Sequence, residues 1–92
     1  HKWGLVNEVF DDANGLYTRA WELAKLLESG PPLVFAAIKE VAREAEAMKF
    51  QDILNKVTKM QLPTVDKLYN SEDGLEGFRA FAEKRDPVWL GR

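Results

Sequence analysis

The stretch Pro31-Pro32-Leu33-Val34-Phe35-Ala36-Ala37-Ile38-Lys39-Glu40-Val41-Ala42-Arg43-Glu44-Ala45-Glu46-Ala47-Met48 decides the fold class. Proline suits the first turn of a helix, where its missing N–H would have had no partner anyway. Val34, Ile38, Val41, Ala45 and Met48 then recur at spacings of four, three, four and three, which is one face of an α-helix. Lys39, Glu40, Arg43 and Glu44 fall on the opposite side. At 1.5 Å per residue the helix would be ~25 Å long.

Working outward, the same grammar repeats. Upstream, Asp12 is a suitable N-cap for a helix over Ala13–Glu28. Leu16, Ala20, Leu23, Ala24 and Leu27 share one face, Trp21 borders it, and Gly30 stops it. Downstream, a third helix begins near Gln51 with the stripe Phe50, Ile53, Leu54 and Val57, continued by Met60 and Leu62. Pro63 lacks a donor and disfavours helix at Leu62, so a kink or break is expected there, with Thr64 to Tyr69 resuming as helix. Ser71 caps the last helix, Glu72 and Asp73 sit in its positive first turn, and Pro87 ends it. Leu75, Phe78, Phe81 and Ala82 form its expected inner face, with Lys84 and Arg85 in the negative last turn. Gly77, inside a helix at a penalty of about 1 kcal/mol relative to Ala, implies close approach by another group. The apolar tail Val88-Trp89-Leu90-Gly91-Arg92 is expected to pack on something.

One segment breaks the helical pattern. Trp3-Gly4-Leu5-Val6-Asn7-Glu8-Val9-Phe10 is rich in β-branched and aromatic residues and reads as a strand. No other strand candidate exists, so its ladder groups would find partners only outside the chain. The expected fold is therefore mainly α: a small bundle of about four helices preceded by one orphan strand.

Composition narrows the function. The chain has 92 residues, enough for one small domain or a piece of a larger one. It carries 13 basic and 15 acidic residues, too balanced for a general nucleic-acid binder. No apolar run approaches the ~20 residues of a membrane span, and no secretory leader is visible. Cysteine is absent, which removes disulfides and thiolate chemistry and suits a reducing cytoplasm.

Catalytic constellations are not found. The only histidine is His1, and no nucleophile elbow or phosphate-binding glycine loop is present. Glu40 and Glu44 share a helix face and read as solvated. Glu72, Asp73 and Glu76 read as complements to a helix dipole rather than metal ligands. Phe81 and Lys84, three apart beside Arg79, Arg85 and Trp89, have two readings. They form a ring and ammonium able to receive a stacked base and a phosphate, or a core Phe and a Lys balancing the dipole. The wide apolar faces and three tryptophans point to burial in an oligomer.

The ending Ser71-Glu72-Asp73-Gly74-Leu75-Glu76-Gly77-Phe78-Arg79-Ala80-Phe81-Ala82-Glu83-Lys84-Arg85-Asp86-Pro87-Val88-Trp89-Leu90-Gly91-Arg92 closely resembles the C-terminus of enoyl-CoA hydratase/isomerase (crotonase) family proteins. Trp3-Gly4-Leu5-Val6-Asn7-Glu8-Val9 resembles the strand that closes their spiral core, and Gly30-Pro31-Pro32-Leu33 with Ala37-Ile38-Lys39 resembles a later helix. Within the family the chain is most similar to bacterial hydratase and dehydratase members. It departs at Leu90, where many members carry Lys, and at Pro63, which interrupts a helix.

The resemblance implies that residues 1–12 are the last strand of a spiral core lying outside the chain, and that 13–92 are a C-terminal helical assembly domain. It implies that this domain covers the active site and self-associates as trimers or hexamers. The parent would add water to an enoyl-CoA or isomerise it, with the catalytic groups and oxyanion-hole amides in the core. No residue here is then catalytic, no metal is bound, and no cofactor belongs to the chain itself. Coenzyme A thioester is the parent's substrate, and Phe81 and Lys84 match positions that help bind the CoA nucleotide in some members. The competing reading is a stand-alone helical protein-interaction module without catalysis.

Overall fold

The computed structural model describes residues 1–92 and contains helices only: α1 (Ala13–Glu28), α2 (Pro32–Ala45), α3 (Phe50–Thr58), α4 (Pro63–Tyr69) and α5 (Glu72–Glu83). The chain divides into two compact units, His1–Gly30 and Pro31–Arg92.

In the first unit the expected strand over Trp3–Phe10 is not formed. The reason is the one its solitude implies: a strand is held by a ladder, and no second strand exists to supply one. The segment instead opens with a turn in which the Gly4 N–H donates to the His1 carbonyl at 2.9 Å. Trp3 stays 87% exposed, and Leu5 and Val9 are also exposed. α1 begins where the sequence predicts, with the Asp12 carboxylate accepting from the Gly15 N–H at 2.7 Å. Arg19 holds the preceding segment against the helix through both Glu8 carboxylate oxygens at 3.1 Å, and also reaches Glu22. No residue of α1 is buried, so the stripe Leu16, Leu23, Leu27 is apolar surface.

The second unit has the core. α2 packs on α3 and α4, and α4 packs on α5. Ala37, Ile53, Leu62 and Val65 form the buried centre, ringed by Val41, Met48, Val57 and Leu68. The buried edge of α2 is turned from the predicted one: Leu33 and Ala37 are inside, while Ile38 is 58% exposed. The break expected at Pro63 is complete, which makes two helices of the predicted third. α3 ends in a Schellman motif: Met60 takes the left-handed conformation (φ 52°), its N–H donates to the Val57 carbonyl, and that of Gln61 donates to Lys56. The chain then enters the core at Leu62, 3% exposed, before Pro63 starts α4.

Candidate functional site

α4 has no capping side chain of its own. Glu40 of α2 supplies one, accepting from both the N–H and the hydroxyl of Thr64 at the second position of α4. Those two hydrogen bonds hold the Glu40 carboxyl below the usual carboxylate range, and the nearby Arg43 and Lys56 charges act in the same sense. Glu44, one turn on, pairs with Lys56 of α3 at 3.2 Å. The expected solvated acidic face of α2 is thus the clamp between α2, α3 and α4.

α5 starts as predicted, with the Ser71 hydroxyl accepting from the Gly74 N–H at 2.9 Å. Its inward face is not the predicted one. Asp73 and Ala80 are buried, while Leu75, Phe78 and Phe81 are exposed, Phe81 by 87%. The physical reason is the tail. Residues 86–92 form no helix or strand and lie along α5, so the burial goes to the face they cover. Asp73, 2% exposed, accepts from Leu90 N–H at 2.7 Å and Gly91 N–H at 2.9 Å, and its own N–H donates to the Arg92 carbonyl at 3.1 Å. Glu76 accepts from Val88 N–H at 2.9 Å and takes a forked pair of bonds from Arg85, one at 2.9 Å. Arg85 chiefly, with Val88 second, pulls the Glu76 carboxyl down to about 2 from the ordinary 4.5. Glu76 and then Glu83 raise the Arg85 guanidinium in return. Gly77 faces the Trp89 ring, but a Cβ there would stand 3.5 Å from it, ordinary van der Waals contact, so the expected close approach is not tight enough to require glycine.

The dipole reading of Glu72, Asp73 and Glu76 therefore covers only part of their work. Asp73 and Glu76 satisfy backbone N–H groups of a segment that has no ladder. The available signal was the apolar tail itself, which needed acceptors for its N–H groups and had carboxylates three residues apart on the adjoining helix.

Two clefts flank this tail. One, of about 530 Å³, is an apolar groove whose walls include Val34, Tyr69, Leu75, Phe78, Phe81 and Trp89. The other, of about 560 Å³, is mixed, with Glu72, Arg79 and Arg85 beside Leu75, Val88 and Leu90. Of the two residues predicted to contact a nucleotide, Phe81 lies on the groove wall. Lys84 does not line the groove. It stands just past the helix in the left-handed conformation (φ 55°, ψ 42°), where a second Schellman motif closes α5: Lys84 N–H donates to the Phe81 carbonyl and Arg85 N–H to that of Ala80. Lys84 is thus a terminator of the helix rather than a member of its last turn. No group of three or more acidic, His or Cys side chains is placed to hold a metal ion. No helix is long and apolar enough to cross a membrane.

A sequence model of the enoyl-CoA hydratase/isomerase family matches residues 1–92. Carnitinyl-CoA dehydratase of Escherichia coli strain K12 is 42% identical over 91 residues, covering 99% of this chain and 34% of that protein. The enzyme of the same name from Shigella flexneri matches to the same extent. The crystal structure of a probable enoyl-CoA hydratase/isomerase from Mycobacterium abscessus superposes with a TM-score of 0.74 at 37% identity, over 99% of this chain and 34% of that one. The chain spans about a third of the length of the curated relatives it matches.

Proposed function

The chain belongs to the enoyl-CoA hydratase/isomerase family, and from that premise we propose that it is the C-terminal helical part of a cytoplasmic acyl-CoA enzyme. Its role is to cover the active site and to assemble subunits into trimers or hexamers. The chemistry, addition of water to an enoyl-CoA double bond or its isomerisation, belongs to the remainder of that enzyme. No residue of this chain is assigned to it. Phe81 and Lys84 contact the nucleotide of the CoA thioester.

The observation that carries the assembly reading is the mismatch between well-made helices and uncovered apolar surface. α1 and α5 are capped by Asp12 and Ser71, so neither is a frayed end. Yet Trp21, Leu26, Phe78 and Phe81 all face outward, more than a lone soluble unit of this size commonly exposes. The absence of cysteine suits a reducing compartment.

Two experiments on the full-length enzyme test the parts separately. Light scattering should give the mass of a trimer or of twice that, and a stable monomer would overturn the assembly role. Replacing Lys84→Ala should raise KM for an acyl-CoA ester by about tenfold with kcat kept, the size expected for one hydrogen bond to a charged group. An unchanged KM would remove the CoA contact.

A further inference from the structure

Residues 86–92 are held in an unusual way. In a segment with neither helix nor strand, the N–H groups of Val88, Leu90 and Gly91 are bound by carboxylates from the first two turns of α5. Asp73 takes two adjacent N–H groups, one on each oxygen, and returns its own N–H to the Arg92 carbonyl. Leu90 follows Trp89 directly, so these bonds fix where the indole stands. There the ring stands 3.5 Å from where a Gly77 Cβ would be, and it forms a wall of the apolar groove. The buried centre of the unit, Ala37, Ile53, Leu62 and Val65, includes no residue of this strap. Strap and core therefore rest on different interactions, which is the condition for local opening without global unfolding.

We infer that Asp73 is the latch of the strap and the positioning residue of the Trp89 wall, so that the groove beside Phe81 exists only while the latch is closed. Releasing the carboxylate frees Leu90 and Gly91 together, and Trp89 leaves Gly77 with them. The groove then loses one side and merges with the open surface. Glu76 holds Val88, on the other side of Trp89, by a single backbone bond, and does not replace the two that Asp73 makes to Leu90 and Gly91. The inference concerns the shape of the groove and does not depend on what occupies it.

The test uses the intact protein labelled with 5-fluorotryptophan, with the Trp89 resonance assigned through Trp89→Phe. In Asp73→Ala the Trp89 signal should move to the position of a solvent-exposed indole. Amides of 86–92 should exchange at least about tenfold faster, as loss of charge-assisted hydrogen bonds requires. Peptides from α2 to α4 should keep their protection. Asp73→Asn retains one acceptor oxygen and should fall between the two states, and it keeps the test usable if the alanine variant unfolds. The inference is overturned if signal and exchange stay unchanged in both variants. It is equally overturned if protection in both falls alike across α2–α5, since Asp73 would then belong to the global fold and not to a separate latch.

Discussion

The two glycines of α5, three residues apart, should respond to the same substitution with opposite signs. Gly77→Ala removes a flexible residue from mid-helix, a gain of about 1 kcal/mol. Its new methyl would sit 3.5 Å from the Trp89 ring, which is ordinary van der Waals contact, so nothing offsets that gain. Gly74→Ala gains less, because Gly74 lies in the first turn just past the Ser71 cap. There the methyl would stand 2.5 Å from the Leu68 carbonyl oxygen. That oxygen is backbone, and it already accepts from the Ser71 hydroxyl at 2.6 Å and from the Ser71 N–H at 3.3 Å, so it has little room to retreat. Overpacking of this kind removes about 1–3 kcal/mol. The net expectation is a gain of about 1 kcal/mol for Gly77→Ala and a loss of about 1–2 kcal/mol for Gly74→Ala. For a unit of this size each kcal/mol moves Tm by roughly 4–8 °C. Urea and thermal unfolding followed by circular dichroism would separate the two easily. If Gly77→Ala destabilises as much as Gly74→Ala, or if both are neutral, the packing of α5 against the tail and the α4–α5 turn is not as described.

Lowering pH should loosen the tail through Glu76. Its folded-state value of about 2 lies below the ordinary 4.5, so its stabilising contribution is complete above pH 4.5 and is lost as pH falls towards 2. Urea midpoints across that window should fall for the native sequence and fall less for Glu76→Gln. Lys84→Gly should stabilise α5 by about 1 kcal/mol, because glycine adopts the left-handed conformation without strain. Under the proposed function the same change weakens CoA-ester binding, so stability and KM should both rise. Leu62→Ala, at a site 3% exposed in the centre of the core, should remove about 2–4 kcal/mol, measured by chemical denaturation.

The helices were legible because their signals are local. Asp12 and Ser71 cap as the sequence indicates, and Pro63 divides α3 from α4. Rotation of each helix about its axis was less legible. Ile38, Phe78 and Phe81 lie on apolar stripes yet face outward, while the small residues Ala37 and Ala80 lie inside. A stripe gives the face that avoids water, but this chain has two such claims on the same helix: one satisfied within the unit, one left as surface. Periodicity adds them into a single stripe and cannot say which neighbour takes which edge. The Trp3–Phe10 segment fails for a related reason. Strand propensity describes how side chains fit a pleated surface, and without a partner there is no such surface to fit.

The acidic residues carry the larger lesson about the site. Charge alone makes Glu40 a solvated residue and Asp73 and Glu76 dipole partners, yet all three accept backbone N–H groups from other segments. Glu40 does for α4 what an N-cap would do, since Pro31-, Lys49- and Leu62-type starts offer no side-chain acceptor. Asp73 and Glu76 do for the tail what a neighbouring strand would do. In each case a carboxylate stands where regular structure has run out of partners, and short helices joined by tight turns make such places frequent. The consequence reaches the groove. Its walls are mostly apolar, but Asp73 also lines it, and Trp89 owes its position to that buried carboxylate of α5. Substitutions that alter the groove should therefore be sought at Asp73 as much as among the aromatic residues that line it.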